Sequence, residues 1–297
     1  MGAYGFHGQM KEFFSSASGV LFNGDSRDLC DCVGEGCVDL VLTSPPFALV
    51  KKKAYGNAAS DEYLDWIKPI LHAINRVVSD NGSIVLDFGS AYVKGHPVRS
   101  LYHYEVLFYC VKELGWNLCQ EFYHHNPSRL PSPAQWVTVK RIRVKDSVNV
   151  VYWFSKSARP HATNRSVLVP YSESMKKLLE KQSWTAGKRP SGHVISGNFG
   201  IDNGGAIPGN LLSLSNSVSS DPWMKLVKKE GLPVHPARFP TSFADFFIRF
   251  LTEEGGLVCD PFAGSNTTGF VAEKLNRKWV GVEMSEEYCA GAALRWS

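Results

Sequence analysis

Short apolar runs that alternate with helical patterns recur along the chain. The runs Val20–Phe22, Val38–Leu42, Ser83–Leu86 and Leu257–Cys259 have the length and apolar character of buried strands. From Asp61 to Val78, apolar residues recur at the spacing of one helix face. Alternating strands and helices predict an α/β fold in which functional residues lie just beyond the carboxyl ends of the strands.

Length, charge and cysteine content narrow the class of protein. The 297 residues, 44% of them apolar, suit one large domain with an insertion or two domains, and a net charge of +4 weakly indicates a polyanionic partner. The seven cysteines lack the spacing of a zinc site, so we expect no metal. Their odd number and scattered positions suit a reducing cytoplasm. Neither a signal peptide nor a membrane-spanning run is evident, so no membrane partner is expected.

The first site motif follows the strand Val38–Leu42 and reads Ser44, Pro45, Pro46, Phe47. Successive prolines stiffen the loop and leave its carbonyl groups free to accept hydrogen bonds. Phe47 offers a stacking face, while Ser44 and the Pro45 carbonyl can accept from an exocyclic amine. The loop therefore suits a flat ring that carries an amino group.

The second motif follows the strand Leu257–Cys259 and reads as a tight turn that leads into a helix, from Asp260 to Gly269. Gly264 permits a close approach of the backbone to a ligand, and Glu283, about 20 residues further, suits the hydroxyls of a ribose. The chain lacks both a G-x-G-x-x-G string and a Gly-Lys-Ser/Thr phosphate loop. A nucleoside without a phosphate chain is therefore favoured.

The two motifs together resemble those of S-adenosylmethionine-dependent DNA amino-methyltransferases of the beta class, and most closely the PvuII-type N(4)-cytosine methyltransferases of restriction–modification systems. In that family Ser-Pro-Pro-Phe is catalytic and Asp-Pro-Phe-Ala-Gly-Ser binds the cofactor. The catalytic motif comes first, as it does here. The resemblance implies a Rossmann-like sheet that is circularly permuted: Leu257 begins it, Lys278–Val282 comes second and Val20–Phe22 third.

The resemblance also implies a set of cofactor contacts. Asp25 matches the position that contacts the adenine, and the stretch from His235 to Pro240 resembles the motif that covers the methionine end, where Arg238 could meet the carboxylate. Asn266 stands where related loops often have glycine. The expected cofactor-binding residues are Asp25, Ser44, Pro45, His235, Pro236, Arg238, Phe239, Asp260, Pro261, Phe262, Gly264, Ser265, Asn266, Thr267 and Glu283.

The chemistry of an exocyclic amine assigns the catalytic roles. The nitrogen shares its lone pair with the ring, so acceptors such as Ser44 and the Pro45 carbonyl must orient its protons. Asp87 is expected to polarise Ser44 or, alternatively, to cap the turn before Gly89. Phe47 is expected to stack on an extruded base. Methylation of a ring carbon would need a Pro-Cys nucleophile, and no cysteine follows a proline.

The stretch from 155 to 234 replaces the alternation with turns, glycine pairs and basic residues. We expect a catalytic part at 1–154, a target-recognition region at 155–234 and a cofactor-binding part at 235–297. Leu118–Tyr123 and Val148–Phe154 are expected to be an antiparallel pair at the far edge of the sheet. Candidate phosphate contacts are Lys51, Lys52, Lys53, Lys140, Arg141, Arg143 and Arg189.

The resemblance implies double-stranded DNA as the partner of a monomer or weak homodimer, with a separately acting restriction endonuclease encoded nearby. Three alternatives stay open at this point. They are methylation of adenine N(6), where relatives usually carry Asp or Asn in place of Ser44, methylation of a small molecule or protein, and a binding module without activity.

Overall fold

The computed structural model describes residues 10–48, 58–181, 187–188, 194–195, 201–214 and 221–297. The chain divides into two compact units, one formed by 1–162 together with 210–297 and the other by 163–209. The second unit is shorter than the segment 155–234 that the sequence predicts as an insertion. Residues on both sides of it belong to the first unit.

Strands and helices alternate along much of the chain. The strands are β1 (Lys11–Ser15), β2 (Gly19–Asn23), β3 (Val38–Thr43), β4 (Val78–Phe88), β5 (Asn117–His125), β6 (Val148–Ser155), β7 (Gly187–Lys188), β8 (Val194–Ile195), β9 (Leu211–Ser213), β10 (Leu257–Asp260) and β11 (Lys278–Glu283). The helices are α1 (Tyr63–Val77), α2 (Tyr102–Lys112), α3 (Glu173–Lys181), α4 (Pro222–Lys229), α5 (Thr241–Leu251), α6 (Thr267–Lys274) and α7 (Glu286–Ala293). Short helical turns lie at Ser26–Asp31, Gln135–Val139, Asn164–Val167 and Leu294–Trp296. Among the described residues, no helix has both the length and the apolar character needed to cross a membrane.

The first unit is built on a nine-stranded sheet in the order β1-β2-β11-β10-β3-β4-β6-β5-β9. The neighbours from β2 through β11, β10 and β3 to β4 are parallel, whereas β6 runs antiparallel to β4. β11 lies beside β2, with Val280 opposite Val20. The predicted α/β class and the permuted order from β10 through β11 to β2 are therefore confirmed.

The structure changes two details of the sequence prediction. β5 and β6 form the expected antiparallel pair, but they are not at the edge of the sheet, because β9 lies parallel to β5 with Leu211 opposite Tyr123. A run of three residues is too short to show a strand pattern. β4 also begins earlier than predicted, so that Gly82 lies inside it. A side chain there would contact the carbonyl of Val38 at 2.8 Å.

Alternate residues of the central strands enter two apolar cores on opposite faces of the sheet. Val41 and Ile84 belong to the core that includes the buried faces of α1 and α2. Leu40 and Val85 belong to the core formed with α5 and α6. All four side chains are fully buried, and truncating a buried Leu or Ile to alanine typically costs about 2–5 kcal/mol. The two cores hold the strand ends in place.

The second unit contains α3 and the short antiparallel pair of β7 and β8. A bridge joins Val169 to Ala206, and the Tyr171 hydroxyl accepts a 2.8 Å hydrogen bond from the main-chain N–H of Asn203. None of the side chains of α3 is buried. The side chains of α3 are therefore exposed or half-buried.

Candidate active site

A cavity of about 830 Å³ in the first unit lies at the carboxyl ends of β3, β10 and β11. Its volume is in the range of small-molecule sites. Most of the site residues predicted from the sequence line it. They are Asp25, Ser44, Pro45, Pro46, Phe47, Asp87, His235, Pro236, Arg238, Phe239, Asp260, Pro261, Phe262, Gly264, Ser265, Thr267 and Glu283. The structure thus brings the catalytic and cofactor motifs, far apart in the chain, to one site.

The catalytic loop begins directly after β3. The Ser44 hydroxyl donates a 3.2 Å hydrogen bond to the main-chain carbonyl of Asp87 on the neighbouring strand β4. Because this bond uses the hydroxyl proton, the lone pairs of the Ser44 oxygen can accept from a ligand. The loop therefore presents acceptors to the cavity, as an amino group requires.

The role expected for the Asp87 side chain needs correction. Its carboxylate contacts neither Ser44 nor the turn before Gly89. Instead, its Oδ2 atom accepts a 3.3 Å hydrogen bond from Asn149 Nδ2 and lies 3.8 Å from His124 Nδ1. The main-chain carbonyl of Asp87 accepts from Ser44, while its carboxylate lies beside Asn149 of β6 and His124 of β5. Polarisation of Ser44 by this carboxylate is therefore not supported.

Asp260 fixes the start of the cofactor loop. Its carboxylate accepts hydrogen bonds of 2.6 Å from the hydroxyls of Thr43 and Thr268, and one of 3.1 Å from the N–H of Phe262. Desolvation by burial raises the pKa of Asp260 to about 6, against the lowering effect of these bonds. The side chain joins the end of β3 to the loop after β10, so it aligns the two motifs.

Glu283, the last residue of β11, holds the glycine turn. One carboxylate oxygen accepts from the N–H of Gly264 and the other from the N–H of Ser285, both at 2.8 Å. Burial raises the pKa of Glu283. Gly264 has φ +52°, a left-handed conformation that favours glycine. The acid and the turn that were predicted separately are one hydrogen-bonded unit.

His235 lies against the glycine turn. A side chain at Gly264 would come within 3.1 Å of the His235 ring. The Nδ1–H group donates a 2.6 Å hydrogen bond to the Ala237 carbonyl, and burial lowers the pKa of the imidazole to about 4. The ring is therefore neutral at physiological pH and closes one side of the cavity.

The structure corrects the role of Asn266, which does not line the cavity. Its side chain is fully buried, and its Oδ1 atom accepts from the N–H of Gly269 at 3.2 Å, which caps α6. The backbone has φ +48°, the left-handed conformation that an asparagine tolerates. Asn266 therefore shapes the start of α6, where a cofactor contact was expected.

Arg295, which no sequence motif marks, supports the cofactor loop from behind. Its guanidinium group donates to the Ser265 carbonyl at 2.5 Å and to the Thr267 hydroxyl at 3.2 Å. It lies 4.1 Å from the centre of the Trp223 ring, and Arg238 lies over the same ring at 5.2 Å. Burial lowers the pKa of Arg295 to about 10. Trp223 thus connects Arg238, which lines the cavity, to the loop.

Asp25 lies at the exit of β2 and lines the cavity, as predicted. Its carboxylate accepts from the Arg27 N–H at 2.9 Å, capping the following turn, and forms an ion pair with the Arg27 side chain at 2.6 Å. The backbone places this acid at the same edge as Glu283. It is therefore positioned for a ligand that spans the ends of β2 and β11.

The candidate phosphate contacts are spread over several segments. Lys51, Lys52, Lys53 and Arg189 lie outside the described residues. Lys140 and Arg141 are exposed on the segment between β5 and β6. Arg143 is held within the protein by a 2.6 Å hydrogen bond to the Pro97 carbonyl and by Asp146 at 3.7 Å. Other residues of this segment, among them Arg129, line the cavity.

Sequence patterns also miss His124 and Asn149, although both line the cavity. They lie on β5 and β6, opposite each other in the strand pairing. Each is a single polar residue within a strand pattern, and no local signal distinguishes it from a residue on a solvent-facing strand face. Their proximity to Asp87 depends on strand order, which only the folded sheet supplies.

The seven cysteines are all free thiols. Burial raises the pKa of Cys32 and Cys119 to about 11, so these thiols stay protonated at neutral pH. No cysteine lines the cavity. Within the described ranges, no group of three or more His, Cys, Asp or Glu side chains is placed to hold a metal ion. The cavity therefore offers hydrogen-bonding groups and no thiolate nucleophile.

The family model for DNA methylases matches residues 38–294, which is most of the chain. The protein belongs to the DNA methylase family. This match confirms the resemblance indicated by the two motifs and their order.

Individual relatives agree with this assignment. The chain is 48% identical to Type II methyltransferase M.PvuII of Proteus hauseri over 96% of this chain and 86% of the relative. It is 25% identical to Type II methyltransferase M.ScaI of Streptomyces caespitosus over 94% of this chain and 81% of that protein. The solved structure of PvuII DNA methyltransferase, described as cytosine-N4-specific, matches with a TM-score of 0.79 and 41% identity, covering 97% of this chain and 89% of that one. The M1.HpyAVI–SAM complex, with 18% identity and a TM-score of 0.51 over 93% of this chain and 98% of that one, shares the fold.

Proposed function

We infer that this protein is a site-specific DNA methyltransferase that transfers a methyl group from S-adenosylmethionine to the N(4) amine of cytosine in double-stranded DNA. The observation that carries this inference is the meeting of the Ser44–Phe47 loop with the Gly264 turn and Glu283 in one cavity. The 48% identity to M.PvuII and the likeness to a cytosine-N4-specific structure support cytosine over adenine.

The cavity fits the methyl donor. Glu283 and Asp25 lie at adjacent strand ends, where ribose and adenine are bound in folds of this type. Gly264 lacks the side chain that would fill the space beside His235. Arg238, which also lines the cavity, is proposed to meet the carboxylate of the methionine end. When bound, S-adenosylmethionine supplies an electrophilic methyl group on a good leaving group. The protein therefore has mainly to orient the amine.

The residues of the catalytic loop perform this orientation. Ser44 and the Pro45 carbonyl accept hydrogen bonds from the amine, which directs the nitrogen lone pair away from the ring system. Phe47 supplies a flat surface for the base. Holding the reacting atoms in line can contribute up to about 7–11 kcal/mol. Since an amine within a duplex cannot reach the donor, the target cytosine is extruded into the cavity.

The rest of the chain serves DNA binding. The segment 155–234 reads the bases of the recognised sequence, and exposed cations such as Lys140 and Arg141 contact phosphates. The exposed lysines of α3, Lys176, Lys177 and Lys181, support this role. The protein works in the cytoplasm as a monomer or weak homodimer. It protects DNA from a separate endonuclease of a restriction–modification system, a role supported by the Type II naming of its relatives.

The decisive experiment identifies the product. The purified protein is incubated with unmethylated DNA and S-adenosylmethionine, the DNA is digested to nucleosides, and these are compared with standards by mass spectrometry. We expect N(4)-methylcytosine. The variant Ser44→Ala should bind S-adenosylmethionine normally in calorimetry but form product at least about 100-fold more slowly.

Two outcomes would contradict this function. Formation of N(6)-methyladenine would keep the cofactor but overturn the choice of base, and the absence of any methylated base would overturn the activity. Equal rates for Ser44→Ala and the parent protein would refute the role of the Ser44 hydroxyl.

A further inference from the structure

We propose that His124, which lies beside Asp87 and Asn149, is a specificity-determining residue that donates a hydrogen bond to ring nitrogen N3 of the extruded cytosine. The proposal rests on the proposed function and deepens it. The Ser44–Phe47 loop recognises the amine of the base, whereas these three residues recognise the ring atom beside it. We call them the ring-edge cluster.

The strand pairing places the ring-edge cluster beside the catalytic loop. Asp87 is opposite Val151, Asn149 precedes Val151 by two residues, and His124 is opposite Asn149. Because side chains alternate along a strand, the three cluster residues project from one face of the sheet. They meet at the edge where Ser44 bonds to the main chain of Asp87, and all of them line the cavity.

The cluster is buried, and its hydrogen bonds are incomplete. Only 2% of Asp87, 3% of His124 and 8% of Asn149 is exposed. Oδ1 of Asp87, both ring nitrogens of His124 and Oδ1 of Asn149 have no hydrogen-bond partner among the described residues. The 3.8 Å between His124 Nδ1 and Asp87 Oδ2 is too long for a hydrogen bond. Buried polar groups are rarely left without partners, so this concentration in a cavity indicates a polar ligand.

The chemistry of the target base matches this need. In the proposed mechanism the Ser44 hydroxyl and the Pro45 carbonyl accept from the amine of cytosine, which leaves its ring acceptors N3 and O2 without partners. An imidazole carries at least one N–H, so His124 can supply the missing donor. The ring of Phe243, 5.0 Å from that of His124, limits where the imidazole can move. The catalytic loop thus accepts from the N(4) amine of cytosine, and the ring-edge cluster donates to its N3 atom.

The same pattern explains which bases are refused. Thymine has an N–H group at N3 and a carbonyl in place of the amine, so it sets a donor against His124 and an acceptor against the loop. Guanine has the same reversed pattern at N1 and O6. Adenine has an amine beside N1, so the cluster selects the amine-and-acceptor edge and leaves the choice between cytosine and adenine to other contacts.

The test removes each partner in turn. After the methylated position has been located by sequencing, duplexes are made with cytosine or 3-deazacytosine at that position, since the latter keeps the amine but lacks N3. Single-turnover methylation is measured with the parent, His124→Phe and, to retain a donor, His124→Gln. His125→Phe is the matched control, because His125 bonds to Ser213 and does not line the cavity.

With cytosine, we expect His124→Phe to be slower than the parent by roughly tenfold to hundredfold, and His124→Gln to recover part of the loss. With 3-deazacytosine, the parent and His124→Phe should differ by less than about threefold, because the partner atom is missing from both reactions. The affinity of His124→Phe for S-adenosylmethionine should stay at the parent value, whereas a variant with a distorted site would bind the cofactor more weakly. His125→Phe should behave as the parent does.

An equal loss with both bases, or no loss with cytosine, would overturn the proposal while leaving the methyltransferase function intact. If the parent protein forms no N(4)-methylcytosine at all, the proposed function itself has failed. The two failures are therefore distinguishable in the same set of reactions.

Discussion

Gly89 lies directly against the aromatic ring of Phe47. A side chain at position 89 would overlap Cδ2 and Cε2 of that ring. Gly89 follows the end of β4, and Phe47 ends the catalytic loop after β3, so the contact joins two adjacent strand ends. The absence of a side chain at Gly89 therefore sets the position of the Phe47 ring, the proposed stacking surface for the base.

The substitution Gly89→Ala should displace the Phe47 ring and lower the rate of methylation by about tenfold or more, since small displacements of positioning groups are costly to catalysis. Binding of S-adenosylmethionine should change little. Single-turnover rates and calorimetry would measure the two effects. Gly291→Ala is the control, because a side chain at this position of α7 would meet its neighbours only at ordinary contact distances of 3.8 Å or more. Equal losses in both variants would contradict this assignment.

Glu283→Gln should weaken binding of S-adenosylmethionine by about tenfold. The amide keeps the shape of the side chain, but its NH₂ group would face one of the two main-chain N–H groups that the carboxylate now satisfies. Calorimetric titration would measure the change. Glu287→Gln, at an exposed position of α7, should bind as the parent does. An unchanged affinity in Glu283→Gln would show that the turn does not depend on this acid.

Asp260 should make stability depend on pH. Its pKa is about 6 when folded and 3.8 in the reference state, so the folded protein holds this proton more tightly. The protonated Asp260 therefore adds to the free energy of unfolding in full below about pH 4, and this contribution is lost as the pH rises through 6. A pKa difference of about 2 units corresponds to about 3 kcal/mol.

The variant Asp260→Asn has a neutral amide at this position and does not titrate. Its free energy of unfolding, relative to the parent, should therefore rise by about 3 kcal/mol between pH 4 and pH 7. Chemical denaturation without cofactor at several pH values would measure the difference. A difference that does not change with pH would contradict the assigned burial of the Asp260 charge.

The double variant Lys140→Gln/Arg141→Gln should bind DNA more weakly and with less dependence on salt. Each lost phosphate contact should reduce the slope of log K against log salt concentration by about 0.9. Fluorescence anisotropy at several salt concentrations would measure this slope. Lys278→Gln removes an exposed charge at the start of β11, away from the cavity edge, and should keep the parent slope. Equal slopes for the parent, the double variant and Lys278→Gln would show that Lys140 and Arg141 do not contact DNA phosphates.

The sequence predicts those parts of the site that one continuous segment encodes. The Ser44–Phe47 loop and the Gly264 turn each follow a short apolar strand, so their place at the sheet edge follows from local pattern. The contacts of the Asp87 carboxylate depend on which strand lies beside β4, and the support of Ser265 by Arg295 joins distant segments. Such relationships arise from tertiary packing and leave no periodic signal in the chain.

The position of β10 between β3 and β11 has a consequence for how the protein is made. As the chain leaves the ribosome, β3 emerges long before its neighbour β10, so one edge of the growing sheet stays unpaired. The strand that closes this edge also carries the cofactor loop. Each newly synthesised copy should therefore become competent only after β10 has been made, and fragments that stop before β10 should be inactive and prone to aggregate.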